Sequence, residues 1–182
     1  SNEYVDLGLP SGLKWAICNV GADSPEEYGD YFASGEVEPK EYYDWSRYKY
    51  GLDADQLTKY CNSSDYGKDG FIDDKTVLEL KDDAATANWG GKWRMPTLEE
   101  QEELRDNCTW TQTLQNGVDG YKVTGPNGNS IFLPFAGYMD GGVLYLAGEL
   151  GGYWSSSLGT GTPSLASIMY FISGFVDVDR LN

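Results

Sequence analysis

Histidine is absent from this chain of 182 residues. Its absence removes the usual near-neutral general base, and with it Ser-His-Asp and Cys-His catalysis and His-ligated zinc. Cations are scarce as well: 13 Lys and Arg stand against 29 Asp and Glu, a formal net charge of −16. Nucleic acid is a polyanion whose binding needs Lys and Arg to displace counterions, and an anionic lipid surface makes the same demand. Neither is therefore an expected partner. Cysteines number three, Cys18, Cys61 and Cys108, with no CxxC pair and no metal-ligand spacing. An odd count allows at most one intrachain disulfide. Either all three are buried small hydrophobes, or Cys61 and Cys108 form a bridge. No apolar run reaches the roughly 18 residues of a membrane-spanning helix, so no direct membrane insertion is expected.

What is present is aromatic and flexible. Tyr 14, Trp 6 and Gly 23, with 40% apolar residues, describe a chain able to bury a core, with short strands and much loop. One domain over residues 1–182 is the simplest organisation. The opening Ser1-Asn2 reads as a cloning scar on a mature domain, with any export signal upstream.

Along the chain, Leu9-Pro10-Ser11-Gly12 turns one short strand into an apolar strand over Leu13–Val20. Ser24, Pro25 and Glu27 form a capping-box pattern that predicts a helix of one or two turns. Gly35 to Lys75 reads as long loops. Asp82 or Asp83 caps a short helix that Gly90-Gly91 ends. Thr97 and Glu100 open a second helix, with Leu98 and Leu104 inward and Glu99, Glu100, Glu102 and Glu103 as a solvated face. From Tyr121 onward the pattern is strands: "YKVTGPNGNSIFLP" as one hairpin, "VLYLAGELGGYWSSSL" as another pair, and "SIMYFISGFVDVDRLN" as a third. Helices early and hairpins late make an α+β fold.

The last hairpin raises the functional question. With Ser173-Gly174 as a two-residue loop, Phe171/Val176 and Met169/Val178 share one apolar face, as strand alternation requires. The opposite face carries Ile172/Phe175, Tyr170/Asp177 and Ile168/Asp179. Large apolar groups beside carboxylates suit a recognition surface, the apolar groups giving buried area and the charges specificity. The competing reading packs this face under a loop, with Asp177 and Asp179 at the rim.

Several stretches, "EYVDLGLPSGLKWA", "SPEEYGDYFA", "LELKDDAATANWGGKWRMPT", "NGVDGYKVTGPNGNSIFLP" and "GYWSSSL", resemble the Fibrobacter succinogenes major paralogous domain family. The resemblance covers nearly the whole chain, with Ile17 and Ser34 departing from the Thr and Trp usual there. It implies a C-type-lectin-like fold: two principal short helices, small antiparallel sheets and long loops. It also implies an extracellular or cell-surface location in gut Bacteroidetes, with an export signal or lipid anchor upstream. Some proteins of that fold are variable products of diversity-generating retroelements, which mutate adenines in codons of a C-terminal ligand-facing surface. Such codons exclude Lys, Gln, Glu, Met and Trp. Ile168, Tyr170, Ile172, Phe175, Asp177, Asp179, Arg180, Leu181 and Asn182 all comply, and the excluded Met169 lies on the core face.

Other chemistry is weaker. Calcium-dependent sugar binding needs Glu-Pro-Asn or Gln-Pro-Asp motifs that "EVEPK" does not supply. In "DYGKDGFIDD", Asp65, Asp69, Asp73 and Asp74 offer hard ligands, but Gly67 and Thr76 occupy ligand positions of an EF-hand, so a solvated acidic turn is preferred. The three serines of "GYWSSSL" have no general base, and Trp154 beside them reads as core. The expectation is thus a non-enzymatic ligand-binding module without cofactor or metal. Its ligand would be a protein or glycan on a cell or phage surface, held by the nine residues named above. A fixed structural or adhesive domain of a larger surface or pilus protein is the alternative, followed by a carboxylate-based glycan hydrolase.

Overall fold

The computed structural model describes residues 3–181, the side chains of Arg180 and Leu181 excepted. It is an α+β fold with few helices and several small antiparallel sheets. Strand β1 (Tyr4–Asp6) pairs with β2 (Lys14–Ala16) around the Leu9–Gly12 turn. Helix α1 (Ala84–Trp89) and helix α2 (Leu98–Asn107) follow a long irregular segment. Strands β3 (Thr109–Gln115), β4 (Val118–Thr124) and β5 (Ser130–Pro134) form one antiparallel sheet. A small hairpin of β6 (Tyr138–Asp140) and β7 (Val143–Tyr145) precedes the last sheet. That sheet has the order β10-β9-β8, from β8 (Gly151–Leu158), β9 (Ala166–Ile172) and β10 (Phe175–Leu181).

Both helices begin where their side chains can accept orphan amides. Asp83 accepts the Thr86 amide at 3.0 Å, and a full capping box joins Thr97 to Glu100. Glu100 also takes a two-pronged ion pair from Arg94 at 2.6 Å, and Glu103 accepts the Ser11 hydroxyl at 2.6 Å. Two of the four glutamates expected in a solvated face therefore tie α2 to its surroundings.

The sequence reading needs four corrections, the first being that the strand expected over Leu13–Val20 runs only from Lys14 to Ala16. Ser24–Glu27 makes only a turn, in which Glu27 reaches back to the Asp23 amide. Gly29 lies too soon after the cap for i→i−4 bonds to accumulate against the cost of nucleation. Val143–Tyr145 pairs with Tyr138–Asp140 instead of with β8, because β8 pairs with β9. Strand β3 was not expected at all. Its polar alternation, TWTQTLQ, lies half open to solvent, and Asn116-Gly117, both at positive φ, forms the tight turn that pairs it with β4.

The main core gathers Leu7 and Leu9, Leu104 of α2, Tyr121, Val123, Ile131 and Leu133 of β4–β5, Phe135, and Met169 and Phe171 of β9. A second cluster holds Tyr60, Leu78, Leu158 and Ala166, with Trp154 against it. The N-terminal strand is stitched far along the chain: the Asp6 carbonyl accepts from both Asn127 and Asn129, at 2.8 and 3.0 Å. Tyrosines hold the loops. Tyr31 donates to the Ala136 carbonyl at 2.6 Å, Tyr43 to Tyr31 at 2.6 Å and Tyr48 to Ser34 at 2.8 Å. Phenols thus satisfy loop carbonyls that no ladder reaches.

Candidate functional site

The β9–β10 register is the one the sequence predicts: Ile172 faces Phe175, Tyr170 faces Asp177, and Ile168 faces Asp179. The turn between them is clamped from the neighbouring sheet. The Tyr121 hydroxyl donates to the Ile172 carbonyl at 2.7 Å and accepts the Gly174 amide at 2.9 Å. Ser173 donates to Gln112 at 2.8 Å, and Gly174 supplies the positive φ of 77° that the loop requires.

Alternation then sorts the two faces. Met169, Phe171, Val176 and Val178 turn inward, where Tyr153 stacks on Phe171 at 5.7 Å. The outward face emerges from the interior along β9: Ile168 is 9% exposed, Tyr170 half-buried and Ile172 42% exposed. Phe175, 46% exposed, lies 6.0 Å from the Tyr170 ring. Asp177 is half-buried and ion-paired to Arg105 at 3.2 Å, and Asp179 is exposed. Of the nine residues the sequence singles out, Arg180 and Leu181 belong to β10 with side chains outside the description, and Asn182 lies outside the described residues.

The deep end of this face is covered by a loop. Trp154, opposite Ile168, donates its indole N–H to the Phe32 carbonyl at 3.0 Å, which makes it a packing residue. Its serine neighbours are structural too: Ser157 accepts the first amide of α2 at 3.0 Å, and Ser156 bonds the Pro96 carbonyl. The open end has a glycine floor. Gly152 stands opposite Tyr170, and Gly137 bridges Gly151 in parallel. Gly152, Ile168, Tyr170, Tyr138 and Leu146 line a cleft of about 1060 Å³ that continues beneath the loops. Family models, characterised proteins and solved structures return no match to this chain.

The remaining candidate chemistry has structural uses. Asp73 accepts the amides of Tyr60, Cys61 and Lys75, closing the acidic turn on itself. Among the described residues no three Cys, Asp or Glu side chains gather as metal ligands, and no disulfide joins Cys18, Cys61 or Cys108. Burial pushes the Cys108 thiol up.

A concentrated polar centre was missed in the sequence. Asp82, 1% exposed, accepts from Lys59 at 2.6 Å, Tyr60 at 2.5 Å and Tyr50. Burial works against its charge, but the bonds from Lys59, Tyr50 and Tyr60 outweigh it and hold the carboxyl below its usual range. Burial and the Asp82 bond push Tyr60 up to about 12. With its oxygens saturated and closed to solvent, Asp82 cannot serve as a nucleophile or base. It clamps the 50–82 segment.

Proposed function

We propose that this chain is an extracellular, non-enzymatic ligand-binding module of C-type-lectin-like fold, related to the Fibrobacter succinogenes major paralogous domain family. Its recognition face is the outward side of β8, β9 and β10. The observation that carries this reading is the exposure of Ile172 and Phe175, at 42% and 46%, on a turn held rigid from behind by Tyr121. Large apolar side chains held in fixed positions at the surface supply contact area at low ordering cost, and carboxylates beside them supply selectivity. The saturation of the buried Asp82 carboxylate argues against carboxylate hydrolysis there.

The test is a binding screen against glycans and cell-surface proteins with the wild-type chain and a Tyr170→Ala/Phe175→Ala variant. The expected outcome is a partner bound by the wild type and lost by the variant at nearly unchanged melting temperature. A variant that melts the fold, or that binds as the wild type does, removes the face from consideration. Deep sequencing of the gene across a cell population tests the retroelement component. Substitutions concentrated at the adenine-bearing codons for 168, 170, 172, 175, 177 and 179–182 support it, and codons as constant as those of a control gene refute it.

A further inference from the structure

A sheet edge offers unpaired amides and carbonyls to any passing strand, and proteins usually guard it. Here the guard differs from strand to strand. Strands β1, β2, β6 and β7 are only three residues long. Strand β5 is buried from Ile131 to Pro134 and ends in that proline. Strand β8 is covered by loop bridges, Val77 to Ser157 and Gly137 to Gly151. On β10 the Asp177 carboxylate folds back onto the Val178 amide at 2.8 Å and holds Arg105 beside it.

Strand β3 has none of these. It is the outer strand of its sheet, seven residues long, and TWTQTLQ carries neither charge nor proline. Thr109, Thr111, Gln112 and Leu114 are exposed, Leu114 at 65%. The Asn116-Gly117 loop closes on the pair Gln115–Val118. A two-residue loop closes on a hydrogen-bonded pair, so Thr109, Thr111, Thr113 and Gln115 point their backbone groups at β4. Trp110, Gln112 and Leu114 therefore point theirs outward. Among the described residues no other backbone group bonds to them, and the Thr113 hydroxyl lies 3.5 Å from the Leu114 carbonyl.

The pattern of the strand selects its occupant. Laid antiparallel on a copy of itself, β3 pairs over all seven residues in one register, with Gln112 on the two-fold axis. Trp110 then faces Leu114 of the second copy, Thr111 faces Thr113, and Thr109 faces Gln115. Every outward backbone group meets an outward one, so Trp110, Gln112 and Leu114 can exchange hydrogen bonds with Leu114, Gln112 and Trp110 of the second copy. Exposed Leu114 gains an apolar neighbour in Trp110, and threonine opposes threonine, a favourable cross-strand pair. The net charge of −16 opposes self-association in general. This uncharged strand lets two copies meet without setting carboxylates opposite one another.

We propose that β3 is the interface of a symmetric homodimer, in which two copies join edge to edge about Gln112. The two three-stranded sheets become one continuous sheet. Its two-fold axis is perpendicular to the sheet, so both Ser173-Gly174 turns, each tied to its own Gln112 at 2.8 Å, come to the same side. The dimer goes beyond the ligand-binding reading and does not depend on it.

The experiment is sedimentation velocity on the wild-type chain at physiological ionic strength, across roughly 1–1,000 μM, the range in which a small interface associates. The expected result is a mass that rises from that of one chain to that of two. Leu114→Lys puts a cation on the exposed edge opposite Asp119 of its own β4, which leaves the monomer fold intact. It should weaken dimerisation about tenfold or more. A wild type that stays monomeric overturns the proposal, and so does a Leu114→Lys chain that dimerises equally well. Amide exchange of the wild type gives a reading that needs no variant. The Trp110, Gln112 and Leu114 amides should exchange freely in dilute solution and slow at dimer concentration, while Thr111 and Thr113 stay protected in both. Dimerisation with those three amides unprotected places the interface elsewhere and refutes the β3 edge. Protection that appears only on adding a partner from the binding screen, in a chain that stays monomeric, gives the edge to a different polypeptide and refutes the dimer.

Discussion

Lys59 Nζ lies 2.6 Å from Asp82 Oδ2, with the Lys59 side chain 13% exposed and that of Asp82 1%. The pair sits under Tyr50 and Tyr60, whose hydroxyls point at the same carboxylate. Because the Asp82 pKa is lowered in the fold, its stabilisation is present above the ordinary 3.8 and is lost as pH falls through the folded value. Tyr60 and Lys59 are raised, Lys59 because its bonds to Asp82 and Glu79 overcome the lowering effect of burial. Their contributions are full below the ordinary values of 10.0 and 10.5 and are lost as pH rises through the folded ones. Urea unfolding should therefore show a plateau between these limits and a fall at each end. Asp82→Asn should cost about 2–3 kcal/mol at pH 7, because it leaves a mostly buried ammonium with Glu79, 3.2 Å away, as its remaining counter-ion, and should flatten the acid limb. An unchanged acid limb would show that other carboxylates govern it.

Tyr121→Phe keeps the ring, which packs at 5.4 Å from Phe171 and 5.6 Å from Phe135. It removes the hydroxyl that joins Ile172 and Gly174. The expected cost is about 1–2 kcal/mol, with faster hydrogen exchange at the Gly174 amide. Exchange as slow as in the wild type would mean that the hairpin turn holds its own shape.

Adjacent glycines of β8 should respond oppositely. A Cβ at Gly151 would sit 2.3 Å from two atoms of the Phe171 ring, so Gly151→Ala should destabilise by about 3 kcal/mol. Gly152→Ala meets only a flexible methyl at 3.2 Å and should change stability by less than about 1 kcal/mol. Thermal melts of the two variants check this directly. Equal losses would mean that the outward side of β8 at Gly152 is as tightly packed as the core.

The hairpin register, both helix caps and the inward side of β9 were legible because each is local: alternation, a capping residue and a turn dipeptide lie within a few positions of one another. The half-burial of the outward face was not, since the strap that covers Trp154 comes from Phe32, far earlier in the chain. The Asp82 centre was invisible for the same reason. Its donors at 50, 59 and 60 show no periodicity and meet only when the irregular segment closes. The approach of Gly137 to Gly151 was likewise unreadable, because it is a single parallel bridge outside any regular ladder.

The stitch between Asp6 and Asn129 spans 123 positions. In kinetic terms, β1 can pair with β2 almost at once, but its stitch to Asn129 has to wait. At roughly 5–20 residues per second of synthesis it waits on the order of ten seconds. Leu7, wholly buried at the end and in the same cluster as Phe171, stays wetted for still longer. Contacts of such long range place this chain among slow folders. Its early apolar residues must be kept from other chains until the last hairpin arrives.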